Sequence, residues 1–176
     1  MTREEFIKVL DEKGYFSEIQ GDRVILKHRG FIDLSRLSSL PPGIEFRNGG
    51  DVNLRSLTSL PSDVEFRNGS DVDLRSLTSL SPGVVFENRH RLYLSALTSI
   101  PSGVEFRNGE SIWLDSLKRI SPGVEFVNGG NVYMKHLTNG WTNSFYNGRY
   151  DWDCNIEGID SKRLLNKMIK DGVFER

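Results

Sequence analysis

Tyr93, Trp113 and Tyr133 stand at equal spacing in the chain. On one face they form a ladder of side chains about 5 Å apart. A contiguous exposed aromatic surface marks a partner site, because water disfavours it. Stacking of a sugar or another small molecule is the second chemistry such a ladder can serve. A third reading is that the aromatic C-terminal segment folds back over it. Beside the ladder, Arg89, His90 and Arg91 gather cationic or ionisable groups suited to a carboxylate or phosphate. Drift in an exposed turn is the alternative there, and Arg29 in the equivalent place of the first unit favours it.

Other reactive side chains give less. Asp51, Asp71 and Asp73, with Asn53, form an oxygen-rich cluster near Arg55 and Arg75. The calcium-binding nonapeptide G-G-x-G-x-D is absent, so no metal is expected. His28 and His136 fall in columns of structural residues, and His90 lies far from both. Cys154 has no base beside it, and Asp153 disfavours its thiolate. Asp151 and Asp153 form a carboxylate pair near Trp141, Tyr150 and Trp152. That pair carries the alternative functional reading, a small-molecule, carbohydrate-binding or enzymatic site in the C-terminal segment. No Ser-His-Asp or Cys-His arrangement and no phosphate-cradling glycine loop is placed by the pattern. The expectation is therefore a non-enzymatic protein without a cofactor.

What must position these residues is a repeat of 20 that never slips. Phe46, Phe66, Phe86, Phe106 and Phe126 form one column, headed by Leu26. Val24, Ile44, Val64, Val84, Val104 and Val124 form another. Asn48, Asn68, Asn88, Asn108 and Asn128 form a third, headed by His28. The consensus G-V-E-F-R-N-G-x-D-V-x-L-x-S-L-T-S-L-P-x recurs six times over residues 23–142, or 120 of 176 residues. Apolar and polar residues alternate in V-x-F-x-N and again in V-x-L-x-S, the signature of short strands. Each unit offers two strands and two corners, and the Asn-Gly glycine is read as the carrier of a positive φ. At that place an arginine, as in Arg89, would cost about 1 kcal/mol.

Two architectures fit this pattern. Asn-Gly between strands suggests an antiparallel meander. The columns favour a parallel β-solenoid of six coils, in which Val, Phe and Leu of every unit face one interior. A single-layer meander leaves residues such as Leu57 and Leu60 without a core. The buried asparagines would then stack as an amide ladder. The Glu45, Glu65, Glu105 and Glu125 column beside Arg47, Arg67 and Arg107 reads as a charge-compensated, solvated outer face.

The flanks read as caps, which a solenoid needs. Residues 1–22 carry a helix opened by the capping box Thr2 and Glu5, with Phe6, Ile7, Val9 and Leu10 on its apolar face. A strand over residues 15–19 follows. Residues 143–176 hold the aromatic segment and a helix over about 162–171 with Leu164, Leu165, Met168 and Ile169 as its stripe.

The stretch Leu57-Thr58-Ser59-Leu60-Pro61 resembles the short leucine-rich repeats of bacterial effector proteins. It departs from them in that its Asn follows Phe and precedes a glycine turn. The whole unit, with its flanks, looks more like the 20-residue G-V-E-F-x-N-G-G-x-V-x-L-x-S-L-T-S-L-P repeat of uncharacterised phage and prophage proteins. That resemblance brings no assigned chemistry. It implies a protein-binding scaffold or inhibitor acting on a host protein, a defence component among the possibilities.

Composition narrows the field. Lys+Arg number 23 and Asp+Glu 24, which argues against a nucleic-acid partner. A single cysteine excludes an intramolecular disulfide. No apolar run is long enough to cross a membrane, and the N-terminus lacks a signal-peptide core. The expected compartment is the cytoplasm, that of the host for a phage protein. A homo-oligomer through one side of the rod remains compatible with the pattern.

Overall fold

The computed structural model describes residues 1–134 and Lys170. Helix α1 (Arg3–Glu12) opens the chain. Its capping box forms as the sequence requires: Thr2 Oγ1 accepts from the Glu5 N–H at 3.1 Å, and Glu5 Oε2 accepts from the Thr2 N–H at 2.7 Å. Phe6 and Leu10 are fully buried against the first coil. Strand β1 (Ser17–Gln20) then pairs antiparallel with β2 (Arg23–Leu26), with Ser17 opposite Leu26 and Gln20 opposite Arg23.

From β2 onward each coil lays its strands on the preceding coil in parallel and in register. The first sheet runs β1, β2, Ile44–Phe46, Glu65–Phe66, Val85–Phe86, Glu105–Phe106 and Glu125–Phe126. Phe46 lies opposite Phe66, and Phe86 opposite Phe106. The second sheet holds β3 (Ile32–Asp33), Val52–Asn53, Val72–Asp73, Leu92–Tyr93, Ile112–Trp113 and Val132–Tyr133. The molecule is a β-solenoid with about six turns, and the meander is excluded. Short strands also form at Ser59–Leu60 with Ser79–Leu80 and at Ser99–Ile100 with Arg119–Ile120. Each middle coil therefore has three strand faces rather than two. The cause is Leu60 and its equivalents. Their burial draws the L-T-S-L stretch against its neighbours, and backbone bonds such as Thr78 N–H to the Thr58 carbonyl, 2.9 Å, follow.

Identical residues stacked at strand spacing make the core. The five phenylalanines are at most 1% exposed, and their rings stack with centroids 4.8–5.3 Å apart and planes within 10°. Burying each removes roughly 1.5–3 kcal/mol worth of apolar surface from water. The Val, Leu and Ile columns fill the rest of the same cluster.

The asparagine column is buried, with exposures of 0–3%. It does not form the expected amide-to-amide ladder. Asn68 Nδ2 instead donates to the carbonyls of Gly50, Ser70 and Asp71 at 3.0–3.2 Å. Asn48, Asn88 and Asn108 repeat this pattern on their own coils. Carbonyls converge on the amide, so the nitrogen must point at them. Each asparagine thus ties its corner to itself and to the coil before it.

The corner glycines divide into two kinds. Gly49, Gly69, Gly109 and Gly129 do not take the positive φ expected of them. On these four backbones a Cβ would collide with the coil below, for example 2.5 Å from the Arg29 carbonyl at Gly49 and 2.0 Å from the Gly109 carbonyl at Gly129, whereas the fourth coil carries Arg89 at this place. Arg89 accordingly carries no left-handed strain. The left-handed corner is the other one, at Gly43, Gly83, Gly103 and Gly123, with φ of 73–81°. Asp63 takes that place in its coil with φ 58°, which an L-residue adopts at a cost of about 1–2 kcal/mol, less for Asp than for most. Asp63→Gly should therefore raise stability by roughly 0.5–1 kcal/mol. Urea unfolding followed by circular dichroism measures this, and an unchanged or lower midpoint contradicts it.

Candidate functional site

The alternation of the second sheet sends Val72, Leu92 and Ile112 inward and Asp73, Tyr93 and Trp113 outward. Pairing Tyr93 with Trp113 and Trp113 with Tyr133 brings the three rings together in order. Their centroids lie 4.8 and 5.0 Å apart, with planes at 19° and 21°. All three are half-buried. Both faces of Trp113 are covered by its neighbours, and Tyr93 and Tyr133 each turn one face to it. Among the described residues, Asn131 Nδ2 donates to the Tyr133 hydroxyl at 3.2 Å.

The N-terminal end of the ladder is closed by a residue the sequence reading did not assign to it. The Arg75 guanidinium lies 5.4 Å from the Tyr93 ring centroid, a cation–π distance. Asp73 holds it there, 2.9 Å from Oδ2, and this bond raises the Arg75 pKa. The available signal was position: Arg75 is two residues beyond Asp73, on the same face and one coil below Tyr93.

Arg89, His90 and Arg91 are exposed at the adjoining corner. Arg91 is the member drawn to the ladder. Tyr93 raises its pKa, Glu110 and Asp71 add to this, and its Nε donates to Glu110 Oε2 at 3.2 Å. Its backbone N–H donates to Asp71 Oδ1 at 2.9 Å, as the Asp71 N–H does to Asp51 Oδ1 at 3.1 Å. The acidic cluster thus serves the backbone of the following coil. Among the described residues no group of His, Cys, Asp or Glu is placed to hold a metal ion. His28 packs edge-on against Tyr15, with centroids 5.0 Å apart. Cys154, His136, Trp141, Asp151, Asp153, the aromatic segment and, apart from the helical Lys170, the expected C-terminal helix lie outside the described residues, as does the suggestion that this segment covers the ladder.

The outer face of the first sheet is less solvated than its charges imply. Glu45 is fully buried beneath Arg23, Arg47 and Arg67. The arginine side chains that cover it stay partly wet, as long cationic side chains do. At Glu65, burial pushes the carboxyl pKa up, but hydrogen bonds from Arg23 and Arg67 outweigh it and hold the group below its usual range. A depressed folded pKa adds stability above the unfolded value, and that stability is lost as pH falls through the folded value.

Comparison of the chain with protein-family models, with curated proteins and with solved structures returned no match. No helix among the described residues is long and apolar enough to cross a membrane.

Glu65→Gln should lower stability near neutral pH by about 1–3 kcal/mol, the range for breaking a partly buried charged hydrogen bond. The difference from the parent chain should shrink below the carboxylate range, where Glu65 itself is protonated. Urea midpoints across pH measure this, and a difference independent of pH contradicts it.

Proposed function

We propose that this chain is a non-enzymatic binding scaffold whose partner is a protein, engaged through the Tyr93–Trp113–Tyr133 ladder and the adjoining Arg89–His90–Arg91 corner. The observation that carries this reading is the stacking of the rings on one another. A sugar or planar ligand binds by lying on a free aromatic face. Tyr93 is enclosed between Arg75 and Trp113, and Trp113 between Tyr93 and Tyr133. What the half-buried rings leave exposed is a line of three aromatic side chains with polar atoms at hand. Such a mixed, rigid surface suits a protein partner, because Tyr and Trp contribute contact area at little entropic cost. The corner adds exposed cations at the rim, where charge guides approach more than it sets affinity.

The setting rests on the resemblance of the repeat to phage and prophage proteins. On that footing the partner is a host protein in the bacterial cytoplasm, and occluding it, for instance a defence component, is the mode of action. The alternative of a ligand or catalytic site in the C-terminal segment rests on Asp151, Asp153 and their aromatic neighbours.

Trp113→Ala tests the reading. A partner captured from host lysate by the parent chain, then purified, should bind the variant at least about 30-fold more weakly, as for an aromatic hot spot worth 2 kcal/mol or more. Calorimetric titration measures it, with circular dichroism to verify the fold. Equal affinity would remove the ladder from the interface.

A further inference from the structure

Four of the five exposed large apolar side chains among the described residues belong to the N-terminal end: Met1, Phe16, Ile19 and Phe31. Both sheets begin there, and their first edges are treated differently. The second sheet begins at β3, and Tyr15 closes that edge. Its hydroxyl accepts from the Asp33 N–H at 2.8 Å and donates to the Asp33 carbonyl at 3.4 Å. The first sheet begins at β1, and among the described residues no side chain closes its edge at Ser17 or Ile19 in that way, although Arg3 Nη2 donates to the Gly21 carbonyl just beyond it at 2.8 Å. The Lys27 N–H donates to the Phe16 carbonyl at 3.0 Å, so residues 16, 18 and 20 form the hydrogen-bonded pairs with β2. The N–H and C=O of Ser17 and Ile19 then point away from the sheet. Among the described residues neither makes a backbone bond outside the β1–β2 ladder. Ile19 and Phe16 are each 58% exposed at this edge. A strand edge flanked by exposed apolar residues is a template for another strand.

We infer that β1 is the contact through which two copies of this chain associate, edge to edge and antiparallel. The choice of a second copy comes from the register that the strand allows with itself. Outward-pointing residues must meet outward-pointing residues. Centring the two-fold on residue 18 sets Glu18 against the partner's Glu18, like charges directly opposite, which is destabilising. Centring it on Ile19 sets Ile19 against the partner's Ile19 through two backbone bonds. It also sets Glu18 against the partner's Gln20 on both sides of the axis. Gln20 already lies with its amide nitrogen 3.5 Å from its own Glu18 Oε2, which also accepts from Lys27 Nζ at 2.7 Å, so the pair is compatible in chemistry and reach. An isologous contact of this kind closes at two copies. The first sheets of both rods then become one. The aromatic ladder lies on the other sheet and stays free in each.

Sedimentation equilibrium of the full chain from micromolar to millimolar concentration tests this. The parent chain should show a reversible monomer–dimer equilibrium. Ile19→Lys, at an exposed position, should remain folded by circular dichroism and sediment as a monomer throughout. Gln20→Lys should tighten the dimer and Gln20→Glu should loosen it, each by roughly 2- to 30-fold, from two symmetric cross-strand pairs. A parent chain that is monomeric at millimolar concentration overturns the inference. So does a dimer that survives Ile19→Lys, or a dissociation constant that the two Gln20 substitutions leave equal.

Discussion

Parallel stacking in strict register places every side chain over the one 20 positions earlier, and in the core columns over its own kind. A residue type is admitted to a column only if it tolerates copies of itself at strand spacing, about 4.8 Å. Phenylalanine does so by stacking rings, the β-branched and leucine columns by close packing, and asparagine by turning its amide toward backbone carbonyls. Charged residues do so only with help. Glu45 and Glu65 are made compatible by arginines reaching across coils from positions 23 and 67. Glycine at four of the Asn-Gly corners follows from the same rule, since a Cβ on those backbones would meet the coil below; in the fourth coil, Arg89 stands at that place.

The rule also shapes the candidate site. Aromatic residues on three successive coils necessarily stack face to face, because the sheet aligns them that way. Both faces of Tyr93 and Trp113, which a flat ligand would use, are thereby covered. The ladder is rigid for the same reason that the core is. A partner docking there, as proposed, would meet it without ordering it first, which lowers the entropic cost of binding. Where the column turns from aromatic to polar, at Asp73 and Arg75, the guanidinium over Tyr93 closes the stack.

Most of this was legible in the sequence, because one period serves every column. The spacing of Phe46, Val52 and Leu57 with their equivalents already identified the interior, and the position of Tyr93, Trp113 and Tyr133 between inward residues identified the ladder. What escaped the reading has physical causes. Glycine serves positive φ and close approach alike, so the residue alone did not say which corner was left-handed. The third strand face depends on how tightly Leu60 and its equivalents draw their stretch inward, which alternation does not reveal. Glu45 looked solvated because its neighbours are charged, yet those neighbours are what bury it. The open edge at β1 and the closed edge at β3 differ by one side chain, Tyr15, whose reach to Asp33 is set only in three dimensions.

The central claim is that the 20-residue register holds the structure together and that the ladder is carried by it. Excision of one coil tests this directly. Removal of residues 64–83 joins Asp63 to Val84 and leaves every column continuous, with Phe86 over Phe46 and Arg55 where Arg75 stood. Thermal unfolding followed by circular dichroism should show a folded, cooperative, somewhat less stable chain, as expected when one repeat and one interface are lost. A deletion one residue shorter shifts every following column by one place and should not give a cooperative transition. Equal behaviour of the two deletions, or loss of fold in the register-preserving one, would contradict the account.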